Sequence, residues 1–158
     1  MVKSRWLKLI AALILPQAAG AIGGFFSAAN VPTWYQTLLK PSFTPPGWIF
    51  GPVWEMLYLM MGGAFFFILI SQQNKDKVRF AAGLFCFHLL INTLWSVLFF
   101  GLHNPLLAFI DIVVLWLMVT ALAFAFWRIS RVAGALMVPY WFWVSFAGVL
   151  NYSIWRMN

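Results

Sequence analysis

Read for hydropathy alone, the chain alternates long apolar runs with short polar breaks. Five runs reach the roughly 20 mainly apolar residues that a membrane crossing needs: 7–26, 47–70, 80–102, 105–127 and 133–155. The runs are continuous, without the alternation of a transmembrane barrel. They predict an all-α, integral membrane bundle of five transmembrane helices in a single domain, 1–158. Linkers are short, as packed antiparallel helices want, except for the stretch 27–47 between the first two spans. From Trp34 to Tyr58 the sequence WYQTLLKPSFTPPGWIFGPVWEMLY gathers three Trp, two Tyr, two Phe and four Pro around Lys40. Such a segment is too proline-rich for a span and too aromatic for a solvated linker. It is predicted to fold as an ordered lid, carrying Trp34, Lys40, Phe43, Pro45 and Pro46, over a pocket between the helices.

Local signals refine these elements. Thr44-Pro45-Pro46 reads as an N-cap followed by proline in a first helical turn, and Asn104-Pro105 repeats the device. Pro139 inside the fifth run predicts a kink and a freed carbonyl. Gly20 and Gly24 form a small-xxx-small pair suited to close helix approach. The start of the chain (Lys3, Arg5 and Lys8, then LIAALIL, then QAAGA) mimics a cleavable signal peptide. The apolar character continues through Ile22, Phe25 and Phe26, to the length of a span, which favours retention.

Composition supports the membrane reading. The chain is 64% hydrophobic and 8% charged, with mean hydropathy +0.90, against about 45–50% apolar and about 25% charged in soluble domains. The net charge of +7 does not indicate nucleic acid. Its basic residues sit between apolar runs, and no basic stripe with exposed aromatics exists. Eight of the ten basic residues, at the N-terminus and in the 71–79 and 128–131 loops, fall on one side, leaving Lys40 and Arg156 on the other. That bias predicts the N-terminus inside, with the C-terminus and the lid outside. The single Cys86 lies in an apolar run and can form neither an intrachain disulfide nor a cysteine metal cluster.

This topology fixes the depth of the polar residues. Glu55 and Asp111 fall about two turns in from the lid side, Asn151 near that end and Asn92 near the middle, so they mark a cavity beneath the lid. Only His88 and Gln17 are candidates for the centre or inner half. Carboxylates at membrane depth usually face a bundle interior or a wet cavity. His88, Asn92, Trp95 and Phe99 share one helix face, as do Trp143, Ala147, Leu150 and Asn151, and Trp54 shares one with Tyr58. An apolar wall with a few placed polar groups is how a small-molecule site is usually built.

Plainer readings stand beside these. Trp6, Trp127 and Trp155 suit an interfacial belt, and Trp54, Trp95 and Trp143 could line a pocket or pack a core. Asn92 and Asn151 fit interhelical bonding as well as ligand contact. Asp111 reads as an acceptor for a neighbouring helix. His88 could ligate haem iron but reads better as a hydrogen-bonded core residue, and His103 sits in a tight turn. Leu150, Tyr152 and Arg156 match the loose sterol pattern, which is common by chance. No nucleophile–base pair, metal-ligand cluster or phosphate-binding loop is visible, so no catalytic residue, metal or obligatory cofactor is assigned.

Taken in order, WYQTLLKPSFTPPGWIFGPVWEMLY, NTLWSVLFFG (92–101), Asp111 and PYWFWVSFAGVLNYSIWR (139–156) resemble the translocator protein / tryptophan-rich sensory protein family, once called peripheral-type benzodiazepine receptors, over nearly the whole chain. The resemblance implies a five-helix bundle, usually a homodimer. It implies a tetrapyrrole ligand such as protoporphyrin IX, haem or a precursor, and in some members sterols or synthetic isoquinoline and benzodiazepine ligands. Carried over by position, Trp48, Phe50, Trp54, Tyr58, Asn92, Trp95, Trp143, Ala147 and Leu150 look like the pocket lining, and Leu150, Tyr152 and Arg156 like the sterol motif. The family commonly has Trp where Phe43 stands; if an indole there is needed for the light-dependent porphyrin breakdown attributed to some members, this chain binds without degrading. His88 stands where Gln is expected. The short end after Arg156, without the basic tail of animal members, fits a bacterial cell envelope. Alternatives to a binding and sensing role are porphyrin photo-oxidation at the pocket Trp residues, a transporter using Glu55 or Asp111, and a structural subunit without a saturable ligand.

Overall fold

A computed structural model describes residues 2–158, with side chains from Arg5 onward; Lys3 lies outside those side chains. Among the described residues, five helices are long and apolar enough to cross a membrane. They are α1 (Val2–Asn30), α3 (Phe50–Leu69), α4 (Lys75–Ser96), α5 (Pro105–Ile129) and α6 (Arg131–Met157); α2 (Trp34–Thr37) is a single turn within the lid. Each expected span corresponds to one long helix. α1 runs beyond both its expected ends, which shortens the lid to about 31–46.

The helices pack up and down. α5 lies along α6 and α1 along α3, with α4 against α1 and α5. The core at the end away from the lid is built from Met61, Phe65, Phe85, Phe126, Met137 and Tyr140, all buried. Phe65 and Phe85 stack at 4.3 Å, joining α3 to α4. Lys8 donates to the Leu69 carbonyl at 2.9 Å, closing the same end.

Starts and stops follow local chemistry. Asn104 Oδ1 accepts from the Leu107 N–H at 3.0 Å and Pro105 opens α5, as expected. Ser130 Oγ accepts from the Ala133 N–H to start α6. Thr44 is a correction. Its hydroxyl donates to the Pro41 carbonyl at 2.8 Å, closing a turn inside the lid, and a 3₁₀ turn (Gly47–Ile49) leads into α3 without a side-chain cap. Two prolines in succession fix an extended backbone, which places Thr44 too far back to reach the first helical N–H groups.

Pro139 lies within a continuous α6, and a second helical proline, Pro16, lies buried in α1. Lacking an N–H, Pro16 cannot bond the carbonyl four residues back, at Ala12. That carbonyl faces Gly62 of α3, where an added Cβ would sit 2.9 Å from its oxygen. Gly20 makes a second close approach, because a Cβ there would overlap the Tyr58 ring. Gly24, its expected partner in close packing, instead faces open space. α1 and α3 therefore touch along their lower halves and part above Gly20.

α4 ends in a π turn, Val97–Gly101, closed by the Leu102 N–H to the Val97 carbonyl at 2.8 Å. Widening the turn inserts an extra residue, and both Phe99 and Phe100 become buried.

Candidate functional site: an aromatic cavity beneath the lid

Where α1 and α3 part, a cavity of about 530 Å³ opens under the lid and reaches α4, α5 and α6. α3 contributes Phe50, Trp54, Glu55 and Tyr58; α4 contributes Asn92 and Trp95, followed by Phe99 and Phe100 from the π turn. Trp143, Ala147, Leu150 and Asn151 come from α6. Of the nine expected lining residues, the cavity gathers all but Trp48. Trp48 is 74% exposed. In a 3₁₀ turn, residues three apart share a face, so Gly47 and Phe50 turn inward and Trp48 turns out.

The polar groups of the wall are fixed by one another. Tyr58 Oη donates to Asn92 Oδ1 at 2.8 Å, and Asn92 Nδ2 donates to Tyr140 Oη at 3.0 Å, tying α3, α4 and α6 together. Asn151 does the same higher up. It accepts from Trp95 Nε1 at 2.9 Å and donates to the Pro105 carbonyl at 2.8 Å. Both asparagines thus bond between helices while lining the cavity, so the two readings of each converge. The aromatic walls are set by Trp54 stacked on Tyr58 (5.5 Å), Trp95 stacked on Phe99 (5.1 Å), and Phe50 edge-on to Trp143 (5.9 Å).

Two polar residues lie outside the lining, His88 in the core as expected and Asp111 against the expectation that it marks the cavity. His88 is buried in the core below Asn92, its Nδ1 bonded to the Phe85 carbonyl and its Nε2 without a partner among the described residues. It does not line the cavity. Asp111 is also buried outside the lining, and among the described residues its Oδ2 accepts no hydrogen bond from a neighbouring helix. Among the described residues, no group of three His, Cys, Asp or Glu side chains gathers to hold a metal.

The inner face of the lid is made by Val31, Pro32 and Tyr35, which sequence reading passed over. The residues it favoured form the outer layer. Trp34 stacks on His103 (4.4 Å) and meets Phe99 edge-on, while Phe43 is exposed and touches Phe146. Lys40 sets its ammonium 4.7 Å from the Tyr35 ring centroid and donates to the Leu38 carbonyl. Burial raises the Tyr35 pKa, so its hydroxyl stays neutral. Pro45 and Pro46 carry the chain into the 3₁₀ turn without lining the cavity.

Two fasteners hold the lid, and neither carried a sequence signal. Asn30 Nδ2 donates to the Phe26 carbonyl, which turns its Oδ1 toward His103 Nε2, 2.8 Å away. His103 has φ 51°, a left-handed conformation that its stacking and bonding sustain. At the far end, Asn158 accepts from the Leu39 N–H at 2.9 Å and donates to the Leu39 carbonyl at 3.0 Å.

The sterol pattern divides between two faces. Leu150 is buried in the cavity wall, whereas Tyr152 and Arg156 are exposed, with Tyr152 against Phe109 and Arg156 over Trp155. A 200° turn separates positions 150 and 152 on a helix.

Fold and site together define a multi-pass membrane protein with an aromatic cavity near one end of a five-helix bundle. The profile of the TspO/MBR family matches residues 12–156, and the chain belongs to that family. It is 42% identical to the tryptophan-rich protein TspO of Chlorobaculum tepidum, covering 89% of each chain. It is 40% identical to the tryptophan-rich protein TspO of Archaeoglobus fulgidus (96% of this chain, 97% of the relative). Identity to the translocator protein of Bos taurus is 34%, over 97% of this chain and 91% of the relative.

Proposed function

We propose that this chain is a membrane receptor whose cavity holds a flat, rigid hydrophobic ligand of the tetrapyrrole class, with protoporphyrin IX or haem as the first candidates. The same aromatic box would accept sterol-like or synthetic isoquinoline and benzodiazepine ligands. The observation that carries the reading is the cavity itself: about 530 Å³, within the 300–1,000 Å³ range of small-molecule sites, with aromatic faces on several sides. Offset stacking and edge contacts on such faces favour a planar ring system. A porphyrin's propionates stay at the outer rim, because burying them unpaired is strongly unfavourable. The charge distribution supports an orientation with the N-terminus inside and the lid outside. The reading we adopt is a bacterial envelope protein, working as a homodimer like the family it resembles.

The test is a protoporphyrin IX titration of the purified protein in neutral micelles, following Trp fluorescence. Saturable quenching is expected for the wild type, with weaker binding for Trp143→Phe and Ala147→Leu. No saturable quenching, or unchanged binding by both variants, rejects the reading.

A further inference from the structure

Among the described residues the cavity wall carries one formally charged side chain, Glu55, and no Lys or Arg lines the cavity. Lys40, the basic residue of the lid, lies behind Tyr35, its ammonium engaged by that ring and by the Leu38 carbonyl. The basic residues Arg5, Lys8, Lys75, Lys77, Arg79, Arg128 and Arg131 belong to the opposite end of the bundle, and Arg156 lies on the outer face of α6. The carboxylate is within reach of a ligand. Glu55 is exposed, and Gly51, one turn toward the lid, also lines the cavity. A Cβ at Gly51 or at Gly47 would meet nothing within 4 Å, so bare backbone leads from the lid to the acid.

The cavity that Glu55 lines is also lined by electron-rich rings. Trp54 is its chain neighbour and stacks on Tyr58, while Phe50, Trp95 and Trp143 face the same space. A cation over the face of Trp, Tyr or Phe is attracted by the ring quadrupole, and the attraction grows when water is excluded. A carboxylate in a cavity lined by aromatic rings, with no basic side chain on the wall among the described residues, is the chemistry that recognises a protonated amine. An anionic ligand meets the opposite field.

We propose that Glu55 gives the cavity a preference for ligands carrying a protonated nitrogen on a rigid apolar skeleton, the ammonium being held between the Glu55 carboxylate and the surrounding rings. The inference rests on the reading that the cavity binds a planar hydrophobic ligand, and it adds the charge of that ligand. It also sets the orientation of a dicarboxylate porphyrin, whose acid groups must point away from Glu55.

The experiment compares two probes with one ring system, protoporphyrin IX dimethyl ester and the bis-amide of protoporphyrin IX with dimethylaminopropylamine, which is cationic at neutral pH. Both are titrated against the full chain in neutral micelles, and the ratio of the two Kd values is the readout. The wild type is expected to favour the amine by about tenfold, the scale of a hydrogen bond between charged groups. Glu55→Gln, with Glu55→Thr as a second variant, is expected to bring the ratio to within about twofold of unity by the same reasoning. A wild-type ratio near unity, or a tenfold ratio that survives both substitutions, overturns the proposal while leaving the pocket reading intact. Failure of both probes to quench the wild type rejects the pocket reading itself, and the amine preference with it.

Discussion

Gly62 of α3 lies directly against the Ala12 carbonyl of α1, the carbonyl that Pro16 leaves without its helical N–H partner. The two helices meet there backbone to backbone. A methyl group on Gly62 would stand 2.9 Å from that oxygen and 3.0 Å from Leu13 Cα, and neither can swing aside as a side-chain tip can. Gly62→Ala is therefore expected to destabilise the bundle by about 1–3 kcal/mol, the range for overpacking, despite the better helix propensity of Ala. Gly83→Ala, where a Cβ meets nothing within 4 Å, should stabilise by roughly 0.5–1 kcal/mol. Unfolding midpoints in micelles compare the two, and equal midpoints would remove the close approach from the account.

The chain Tyr58–Asn92–Tyr140 predicts a graded loss. Tyr58→Phe deletes one hydrogen bond, worth about 0.6 kcal/mol by the average found between membrane helices. Asn92→Ala deletes both and leaves the fully buried Tyr140 hydroxyl without its Asn92 partner, so about 1–3 kcal/mol is expected. The double variant should lose less than the sum, since Tyr58 has nothing left to bond once Asn92 is gone.

Trp48 and Trp54 separate the exposed aromatics from the wall. Trp48→Phe is expected to leave porphyrin affinity within about twofold. Trp54→Ala should weaken it by about tenfold, on the scale of one aromatic contact plus its buried area. Equal effects of the two substitutions in the same quenching titration would put the cavity in the wrong place.

Asn158 grips both backbone groups of Leu39. Asn158→Ala should let that end of the lid open more often, at a cost of about 1 kcal/mol per exposed bond at most. The expected signature is ligand dissociation several-fold faster with an unfolding midpoint nearly unchanged. Stopped-flow release of bound porphyrin reads the rate, and an unaltered rate would mean that the lid does not gate exit.

How much of this was legible before the structure depends on what hydropathy can report. The five spans were, because lipid demands an uninterrupted apolar run. Asn104-Pro105 was legible as a helix start because its capping chemistry is local. Which face of a span meets lipid and which meets protein is harder, since both are apolar; Asp111 was placed by depth and still fell outside the cavity, whereas His88 lies in the core as a lone helical histidine is expected to. Trp48 was misjudged because one 3₁₀ turn rotates it away from the wall. The π turn after Ser96, the pairing of Pro16 with Gly62, and the grip of Asn158 on Leu39 each depend on geometry between distant segments or on a one-residue change in winding. No local pattern announces them.

The bare backbone at Gly24, Gly47 and Gly51 has one more consequence. At those three positions there is no side chain to trim, so every amino-acid replacement adds volume. Selectivity can drift there in one direction only, toward slimmer ligands, whereas the aromatic side can be enlarged or reduced. A homologue that accepts a bulkier ligand must find the extra room at positions such as Trp54, Trp95 or Trp143, and would forfeit ring faces in doing so.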